Sequence, residues 1–202
     1  MSLRLGIIAR FKPPHIGAIN MLEHSLRLAD EAVIGIGSSN KYNMRNPFTA
    51  AETRGMLDAY LSRRFKNYRF VDVTDFAHED PAYGAQRWTE FVKANFPVHA
   101  IVTANKYVAS LLQNDFGIID PVKLIPSDQM IDLRATQVRY AMAGGDVWER
   151  FVPHEVATYM RVYGLDKRFV REFGEKTLQE SIPTATLETA DAERAHTFCG
   201  NS

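Results

Sequence analysis

The chain has 202 residues, of which 46% are hydrophobic and 24% are charged, a composition that is ordinary for a globular domain. Its 24 basic and 24 acidic residues cancel, so it lacks the basic excess of a typical nucleic-acid-binding domain. The single cysteine, Cys199, excludes a disulfide framework within one chain, and no apolar run approaches the roughly 20 residues that span a bilayer. We therefore expect a cytoplasmic protein with no nucleic-acid partner and no membrane partner.

The first predicted elements are a strand over residues 5–9, a helix over 19–29 and a strand over 32–36. The helix has apolar residues at helical spacing, among them Leu22 and Leu26. The second strand shows little polar alternation, which is typical of a parallel strand that is buried on both faces.

The middle of the chain predicts further helices and strands in alternation. Thr49 and Glu52 stand at the spacing of a capping box that opens a helix through residue 61. A later helix carries Trp88, Phe91 and Val92 on one face. The predicted strands in this region cover residues 70–73, 100–103 and 122–125.

The last predicted helices of the α/β region cover residues 135–143 and 154–163, and Gly144-Gly145 is a natural stop for the first of them. The alternation of strands and helices indicates an α/β fold. It predicts a Rossmann-like, doubly wound parallel sheet with ligands at the carboxyl ends of the strands.

We expect one domain over residues 1–164 and a C-terminal helical segment with a loosely ordered tail over 165–202. Residues 167–171 mix basic and apolar side chains, and we interpret them as a solvated amphipathic helix in preference to a packing helix or a subunit contact. From about Gln179 the composition turns to Thr, Ala, Glu and Ser, which is typical of loose order.

The loop after the first strand is rich in groups that bind anions. Arg10, Lys12 and His15 lie within six residues, and two prolines stiffen the turn between them. Gly17 allows a backbone to approach closely at the start of the following helix. Because amide groups and the helix dipole at such a turn attract anions, the loop predicts a phosphate site.

Four blocks of sequence carry a more specific signal. They are Arg-Phe-Lys-Pro-Pro-His-Ile-Gly-Ala at 10–18, Gly-Ile-Gly-Ser at 35–38 with Arg-Asn-Pro-Phe-Thr at 45–49, Leu-Arg-Ala-Thr-Gln-Val-Arg at 133–139, and Asp-Val-Trp at 146–148 with Val-Pro at 152–153. In this order and spacing they resemble the HxGH nucleotidylyltransferases, and among these the archaeal-type nicotinamide mononucleotide adenylyltransferases. The resemblance covers about residues 4–163.

This resemblance implies a nucleotidylyltransferase-type fold and the transfer of the AMP moiety of ATP to nicotinamide mononucleotide, which gives NAD⁺ and pyrophosphate. It implies that Mg²⁺ is carried by ATP, that the partners are ATP and a mononucleotide, and that the enzyme is a homo-oligomer. The catalytic residues that we predict are His15 and Arg139, which match the family pattern, and Lys12, which departs from it and adds a cation near the phosphates. The residues that we predict at ATP and its phosphates are Arg10, Gly17, Ser38, Arg45, Asn105, Ala135 and Thr136, together with Arg134, which also departs from the pattern and adds a cation.

Trp88 has two interpretations of equal weight. The resemblance implies that its indole stacks on the nicotinamide ring of the acceptor. Alternatively, the side chain packs in the core beside Phe91, as large aromatic residues commonly do. The sequence shows no Asp/Glu cage, so we predict no metal ion that is held by the protein.

The sequence departs from the family pattern within the site. Ala18 replaces the second histidine of the HxGH motif, Lys12 replaces a glutamine, and Arg134 and Gln137 replace a serine and a glutamate. Ala85 replaces an asparagine near Trp88. Loss of one donor of this kind costs roughly 10²- to 10³-fold in rate. Three hypotheses remain: an adenylyltransferase of nicotinamide mononucleotide, a nucleotidylyltransferase with another phosphorylated acceptor, and a catalytically weak nucleotide-binding homologue.

Overall fold

The computed structural model describes residues 2–76 and 81–180, apart from the side chains of residues 81 and 82. Within these ranges a parallel sheet has the strand order β3-β2-β1-β4-β5. The winding of the chain reverses between β1 and β4, which creates a crevice at their carboxyl ends. The predicted doubly wound α/β fold is thus confirmed. The strands are β1 (Arg4–Ala9), β2 (Glu31–Ile36), β3 (Tyr68–Asp72), β4 (Ala100–Val102) and β5 (Gly117–Ile119).

The predicted strand over residues 122–125 is wrong. The edge strand β5 comes earlier in the chain, and a 3₁₀ turn over Pro121–Lys123 follows it. Pro121 cannot donate to a strand ladder, and the Asp120 side chain accepts the Val122 N–H at 3.0 Å, which caps the turn. Val122 is 61% exposed, so the apolar run does not mark a buried strand.

Helices cover both faces of the sheet and extend beyond it. Those in the described ranges are α1 (Ile16–Leu28), α2 (Ala50–Leu61), α3 (Pro81–Asn95), α4 (Lys106–Leu112), α5 (Ala135–Gly144), α6 (His154–Val162), α7 (Leu165–Phe169) and α8 (Glu175–Gln179). A π-helical turn, Val170–Gly174, joins α7 to α8.

Two predicted helix ends are confirmed by their hydrogen bonds and dihedral angles. Thr49 Oγ1 accepts the Glu52 N–H at 3.2 Å, and the Glu52 carboxylate accepts the Thr49 N–H at 2.9 Å, so the capping box of α2 is complete. Gly145 follows α5 with a φ of 77°, a left-handed conformation that glycine adopts without steric cost.

The core has three parts. One joins α1 to one face of the sheet through residues such as Leu22 and Ile34. A second joins α3 and α4 to the other face, where Phe96 is buried. The third lies away from the sheet, between α2, α5, α6 and α7, and includes Met160 and Phe169. Helices α5 to α7 therefore pack on α2 around a core of their own.

The interpretation of residues 167–171 as a solvated amphipathic helix is wrong. Phe169 is completely buried in the third part of the core, with its ring centroid 6.3 Å from that of Phe48. Arg168 pairs with Glu52 of α2. The segment is a packing helix, because Phe169 fills the space beside the start of α2.

The predicted boundary after residue 164 coincides with a turn at Gly164, which has a φ of 63°. Division into domains at this point stays a prediction. The predicted loose order of the tail and the single cysteine Cys199 concern residues 181–202, outside the described part of the chain. No helix in the described part is long and apolar enough to cross a membrane.

Candidate active site

A cavity of about 980 Å³ opens at the carboxyl ends of β1, β2 and β4, where the winding of the sheet reverses. The loops after β1 and β2 and the starts of α4 and α5 line it, and α3 closes one side. The predicted site residues that line this cavity are Arg10, Lys12, His15, Ser38, Arg45, Trp88, Asn105, Arg134, Ala135, Thr136 and Arg139. The fold thus brings together residues that are up to 129 positions apart, from Arg10 to Arg139.

Gly17 is the predicted site residue that is not part of the cavity lining. A Cβ atom at this position would lie 2.8 Å from the carbonyl oxygen of Ile131. The glycine therefore allows the segment before α5 to pack closely against the start of α1. The backbone group that approaches Gly17 closely is thus the Ile131 carbonyl of the protein itself.

His15 caps the N-terminus of α1. Its Nδ1 accepts the Ala18 N–H at 3.2 Å. Burial lowers the pKa of His15 to about 4, and the charge of Arg139 contributes. The imidazole is therefore neutral near pH 7, and because Nδ1 accepts a hydrogen bond, the proton is assigned to Nε2. His15 can donate a hydrogen bond to an anion from Nε2.

Lys12 joins the loop after β1 to the loop after β2. Its side chain is buried, and Nζ donates to the Ser38 carbonyl oxygen at 2.8 Å. Ser38 has a φ of 49° and Phe11 has a φ of 53°, so both loops hold a non-glycine residue in the left-handed region. Burial and the charge of Arg10 lower the pKa of Lys12 to about 8.

Arg139 lies at the base of the cavity and is only 7% exposed. Its guanidinium donates to the Lys12 carbonyl oxygen at 2.9 Å and to Thr136 Oγ1 at 3.2 Å. Burial, with a contribution from the charges of Arg10 and Arg45, lowers the pKa of Arg139 to about 10. The arginines are therefore close enough to repel one another.

Arg10 belongs to the same cluster of positive charges. Desolvation and the charge of Arg45 lower its pKa, and Asp75 partly opposes this effect. Among the cavity-lining residues in the described ranges, Asp75 supplies the single carboxylate. Its oxygen accepts the Ser38 hydroxyl at 3.1 Å. The cluster has more cations than anions, which is the electrostatic requirement of a polyphosphate site.

The first turn of α5 faces the cavity with Ala135 and Thr136. The first N–H groups of a helix have no partner within the helix, and together with the helix dipole they attract anions. Gln137 Oε1 accepts the Arg134 N–H at 2.7 Å. Gln137 thus performs the capping function for which helices often use glutamate at this position.

Asn105 caps α4 at the edge of the cavity. Its side-chain oxygen accepts the Val108 N–H at 3.2 Å, and its own N–H donates to Thr103 Oγ1 at 3.1 Å. Trp88 is half-buried, lines the cavity and also packs against the core on the α3 face of the sheet. Its packing is therefore observed, and ring stacking on an acceptor stays a prediction.

Sequence reasoning missed the residues that follow β3. Thr74, Asp75 and Phe76 line the cavity beside Gly84 and Ala85 of α3. The missed signal is the position of two polar residues, Thr74 and Asp75, just beyond the carboxyl end of β3. In a parallel sheet this position lies at the ligand-binding edge.

The chemistry of the site is that of anion binding. Within residues 2–76 and 81–180 no group of three or more His, Cys, Asp and Glu side chains could hold a metal ion. Guanidinium groups, an ammonium group, a neutral imidazole and a helix N-terminus instead converge on one cavity. Such donors can bind a triphosphate and stabilise negative charge that develops on phosphorus-bound oxygens.

Comparisons with known proteins agree with this geometry. A family model described as cytidylyltransferase-like matches residues 7–173. The nicotinamide-nucleotide adenylyltransferase of Pyrococcus furiosus is 31% identical over 188 residues, which cover 87% of this chain and 94% of that protein. The protein of the same name from Methanococcus maripaludis strain C5 is 28% identical over 181 residues, which cover 88% of this chain and 99% of that one.

A solved structure shows the same fold. It is the bifunctional NMN adenylyltransferase/ADP ribose pyrophosphatase of Francisella tularensis in complex with AMP and manganese, with a TM-score of 0.65 and 18% identity. The match covers 85% of this chain and 53% of that chain, so this chain spans about half the length of the bifunctional protein. Since the family model covers most of the chain and an archaeal relative matches at 31% identity along nearly its whole length, the chain belongs to the cytidylyltransferase-like family of nucleotidyltransferases.

Proposed function

We propose that the protein is an adenylyltransferase that joins nicotinamide mononucleotide to the AMP moiety of ATP and releases pyrophosphate. One observation carries this proposal: Arg10, Lys12 and Arg139 converge with a neutral His15 in the crevice where the sheet reverses its winding. The relatives in Pyrococcus furiosus and Methanococcus maripaludis are named for this activity.

In the proposed reaction, an oxygen of the 5′-phosphate of the mononucleotide attacks the α-phosphorus of ATP. A phosphoanhydride bond forms, the bond from the α-phosphorus to the bridging oxygen breaks, and pyrophosphate leaves with that oxygen. No covalent intermediate with the protein is needed. Catalysis then consists of positioning the two substrates and stabilising the charge on the five-coordinate phosphorus.

The cavity residues supply that stabilisation. Arg139 is held by the Lys12 carbonyl and the Thr136 hydroxyl, so its guanidinium has a fixed orientation before ATP binds. His15 donates from Nε2 because its Nδ1 accepts the Ala18 N–H. Arg10, Arg45 and Arg134 add positive charge around the same space. This preorganisation supports assignment of these residues to the triphosphate of ATP.

Mg²⁺ is proposed to enter the site bound to ATP. The single carboxylate of the described lining, Asp75, accepts a hydrogen bond from Ser38, and a cationic cavity disfavours a metal ion that is held by the protein alone. Mg²⁺ usually keeps several waters and binds through substrate phosphates in such enzymes. It would neutralise charge on the triphosphate.

The acceptor is proposed to bind toward α3. Trp88 and Phe76 give this side of the cavity aromatic surface, and Gly84 and Ala85 leave it open. Because Ala85 offers no hydrogen-bonding side chain, recognition of a carboxamide here would depend on other groups. An acceptor with another phosphate-bearing head group is therefore the second candidate, and Ala85 is the observation that favours it.

We also propose that this enzyme reacts more slowly than an enzyme that has both histidines of the motif. Ala18 lines the cavity beside His15, and its methyl group cannot donate to a phosphate. The ammonium group of Lys12 supplies a positive charge in the same lining. The enzyme is proposed to act in the cytoplasm as a homo-oligomer, without a nucleic-acid or membrane partner.

The test is pyrophosphate release by the purified protein with ATP, Mg²⁺ and a panel of phosphorylated acceptors. The panel includes nicotinamide mononucleotide, nicotinate mononucleotide, phosphopantetheine and flavin mononucleotide, and CTP replaces ATP in a parallel series. We expect release that depends on both ATP and nicotinamide mononucleotide, with NAD⁺ as the product. Turnover with another acceptor alone would support the second candidate, and ATP binding with no turnover would overturn both.

A further inference from the structure

Arg45 lies on a short turn outside the helices and the strands of the sheet. The backbones of Asn43 and Asn46 pair across the turn, with N···O distances of 3.2 and 2.8 Å. The side-chain oxygen of Asn43 accepts the N–H groups of Arg45 and Asn46 at 3.0 Å each. This Arg45 turn, residues 43–46, presents an exposed arginine to the cavity.

The C-terminal segment contacts the residue before the turn. The Tyr42 hydroxyl donates to the Glu172 carboxylate at 2.5 Å. The Tyr42 ring packs edge-on against that of Phe173, with 5.4 Å between the centroids. Arg168 lies over the same ring, with its guanidinium carbon 5.7 Å from the centroid.

The same segment holds the residues after the turn. Arg168 donates to the Pro47 carbonyl oxygen at 3.2 Å and forms two further bonds with the carboxylate of Glu52, one of them at 2.7 Å. The next residue, Phe48, packs against Phe169. Arg168 thus contacts both sides of the Arg45 turn and the start of α2.

The ion pair between Arg168 and Glu52 holds the two side chains in a rigid arrangement. The two side chains are only 24% and 22% exposed, and the bidentate geometry fixes the plane of the guanidinium. Burial alone would raise the pKa of Glu52, but hydrogen bonds from Arg168 and the Thr49 backbone outweigh burial and lower it. Both groups therefore stay charged near neutral pH.

We propose that Arg168 is a positioning residue that acts through Arg45, and that the C-terminal segment fixes the direction from which Arg45 reaches the triphosphate. This inference rests on the proposed function, because it takes Arg45 as a phosphate ligand. The charge of Arg45 already acts on the site, since it lowers the pKa values of Arg10 and Arg139. Without the contacts to Tyr42 and Pro47, the turn would have to be ordered when ATP binds, which costs conformational entropy.

The test is a double-mutant cycle with Arg168→Met, Arg45→Ala and the double variant. The measurements are the KM for ATP, kcat, and the calorimetric Kd of an ATP analogue with a methylene group between the α- and β-phosphorus. A charged hydrogen bond contributes on the order of tenfold or more to affinity, so each single variant should raise both KM and Kd about tenfold. The double variant should be no more than about twofold worse than Arg45→Ala alone.

Multiplied effects in the double variant would overturn the proposal, because they would show that Arg168 acts independently of Arg45. An unchanged KM and Kd in Arg168→Met would overturn it as well. Arg168→Lys keeps the charge but loses the bidentate geometry, and we expect it to recover only part of the affinity. Arg161→Met is the matched control: Arg161 of α6 is 60% exposed, pairs with Glu149 and does not line the cavity, so its replacement should leave KM unchanged.

These measurements distinguish a failure of the positioning proposal from a failure of the proposed function. If the protein binds the ATP analogue but makes no NAD⁺, the adenylyltransferase assignment fails, and the cycle of Kd values still tests the coupling. If Arg45→Ala leaves Kd unchanged, Arg45 does not contact the triphosphate and the positioning proposal fails. Arg168→Gln, which keeps hydrogen-bonding capacity, repeats the cycle if Arg168→Met does not fold.

Discussion

The Lys12 ammonium lies 2.8 Å from the carbonyl oxygen of Ser38, and the carbonyl of Lys12 itself accepts the Arg139 guanidinium at 2.9 Å. One residue therefore joins the loops after β1 and β2 and orients the arginine at the base of the cavity. The side chain ties together two loops that each hold a left-handed, non-glycine residue. We conclude that Lys12 organises the site as well as adding charge to it.

Replacement of Lys12 tests this role. Lys12→Met removes the bond to Ser38 and the charge, and we expect kcat/KM to fall by about 10²-fold, the order of a lost charged hydrogen bond in a buried site. Lys12→Gln can keep a hydrogen bond to Ser38 without the charge and should retain more activity. Equal activity in wild type and Lys12→Met would show that the site does not need this contact.

The pH dependence of the reaction should report the same group. Burial and Arg10 lower the pKa of Lys12 to about 8, so the ammonium loses its proton as the pH rises past that value. We expect kcat/KM to decrease above about pH 8 in the wild type. In Lys12→Arg the decrease should move to higher pH, because a guanidinium ordinarily has a higher pKa than an ammonium group. An identical profile would exclude Lys12 as its origin.

His15 should affect stability in weak acid. Its pKa is lowered to about 4 in the folded protein by burial and by Arg139, whereas an unfolded histidine has a pKa near 6.5. Between these values the unfolded state binds more protons, so the free energy of unfolding should fall as the pH decreases from about 6.5 to 4.

His15→Asn provides the comparison for this prediction. Asparagine can still cap α1 but does not titrate, so its unfolding free energy should depend less on pH over the same interval. Urea denaturation at several pH values measures both proteins. The same pH slope in wild type and variant would contradict the assignment.

Ala18→His should restore the missing imidazole. The position lines the cavity beside His15, and one added donor at a developing oxyanion is worth roughly 10²- to 10³-fold in rate. We expect kcat to rise, with Ala18→Leu as a control for the added volume. If kcat does not rise in a variant that still binds ATP, the cations already present in the site perform the function of the missing imidazole.

Phe169→Ala should destabilise the protein, although the Phe169 side chain is not in direct contact with the cavity. The side chain is completely buried between Phe48 and Phe173, and such truncations cost about 3–5 kcal/mol. Val170→Ala, at a side chain that is 44% exposed, should change stability by less than about 0.5 kcal/mol. Thermal unfolding of both variants measures the difference.

The parts that the sequence could predict are those with local causes. The capping box of Thr49 and Glu52 and the stop at Gly145 depend on neighbouring residues, and both are observed. The loop with Arg10, Lys12 and His15 could be predicted because the carboxyl ends of parallel strands form the ligand-binding edge of the sheet. Other cavity residues, such as Arg45 and Arg139, could be predicted only from the resemblance of the four sequence blocks to a known family.

The parts that it could not predict depend on long-range packing. The apolar run at 122–125 has strand-like composition, but Pro121 and the Asp120 cap turn it away from the sheet. Burial of Phe169 depends on Phe48, more than 100 residues away, and no local pattern specifies it. The bond from Lys12 to Ser38 likewise arises only when β1 and β2 are paired.

The most direct test of the proposed adenylyltransferase activity follows a label from ATP into the products of a single reaction. The protein is mixed with Mg²⁺, nicotinamide mononucleotide and ATP that is labelled either at the α-phosphorus or at the γ-phosphorus. We predict that the α-label appears in NAD⁺ and the γ-label in pyrophosphate, and that Arg139→Met suppresses both transfers. Absence of α-label from NAD⁺, with ATP bound and the protein folded, would contradict the assignment of this cavity as a nicotinamide mononucleotide adenylyltransferase site.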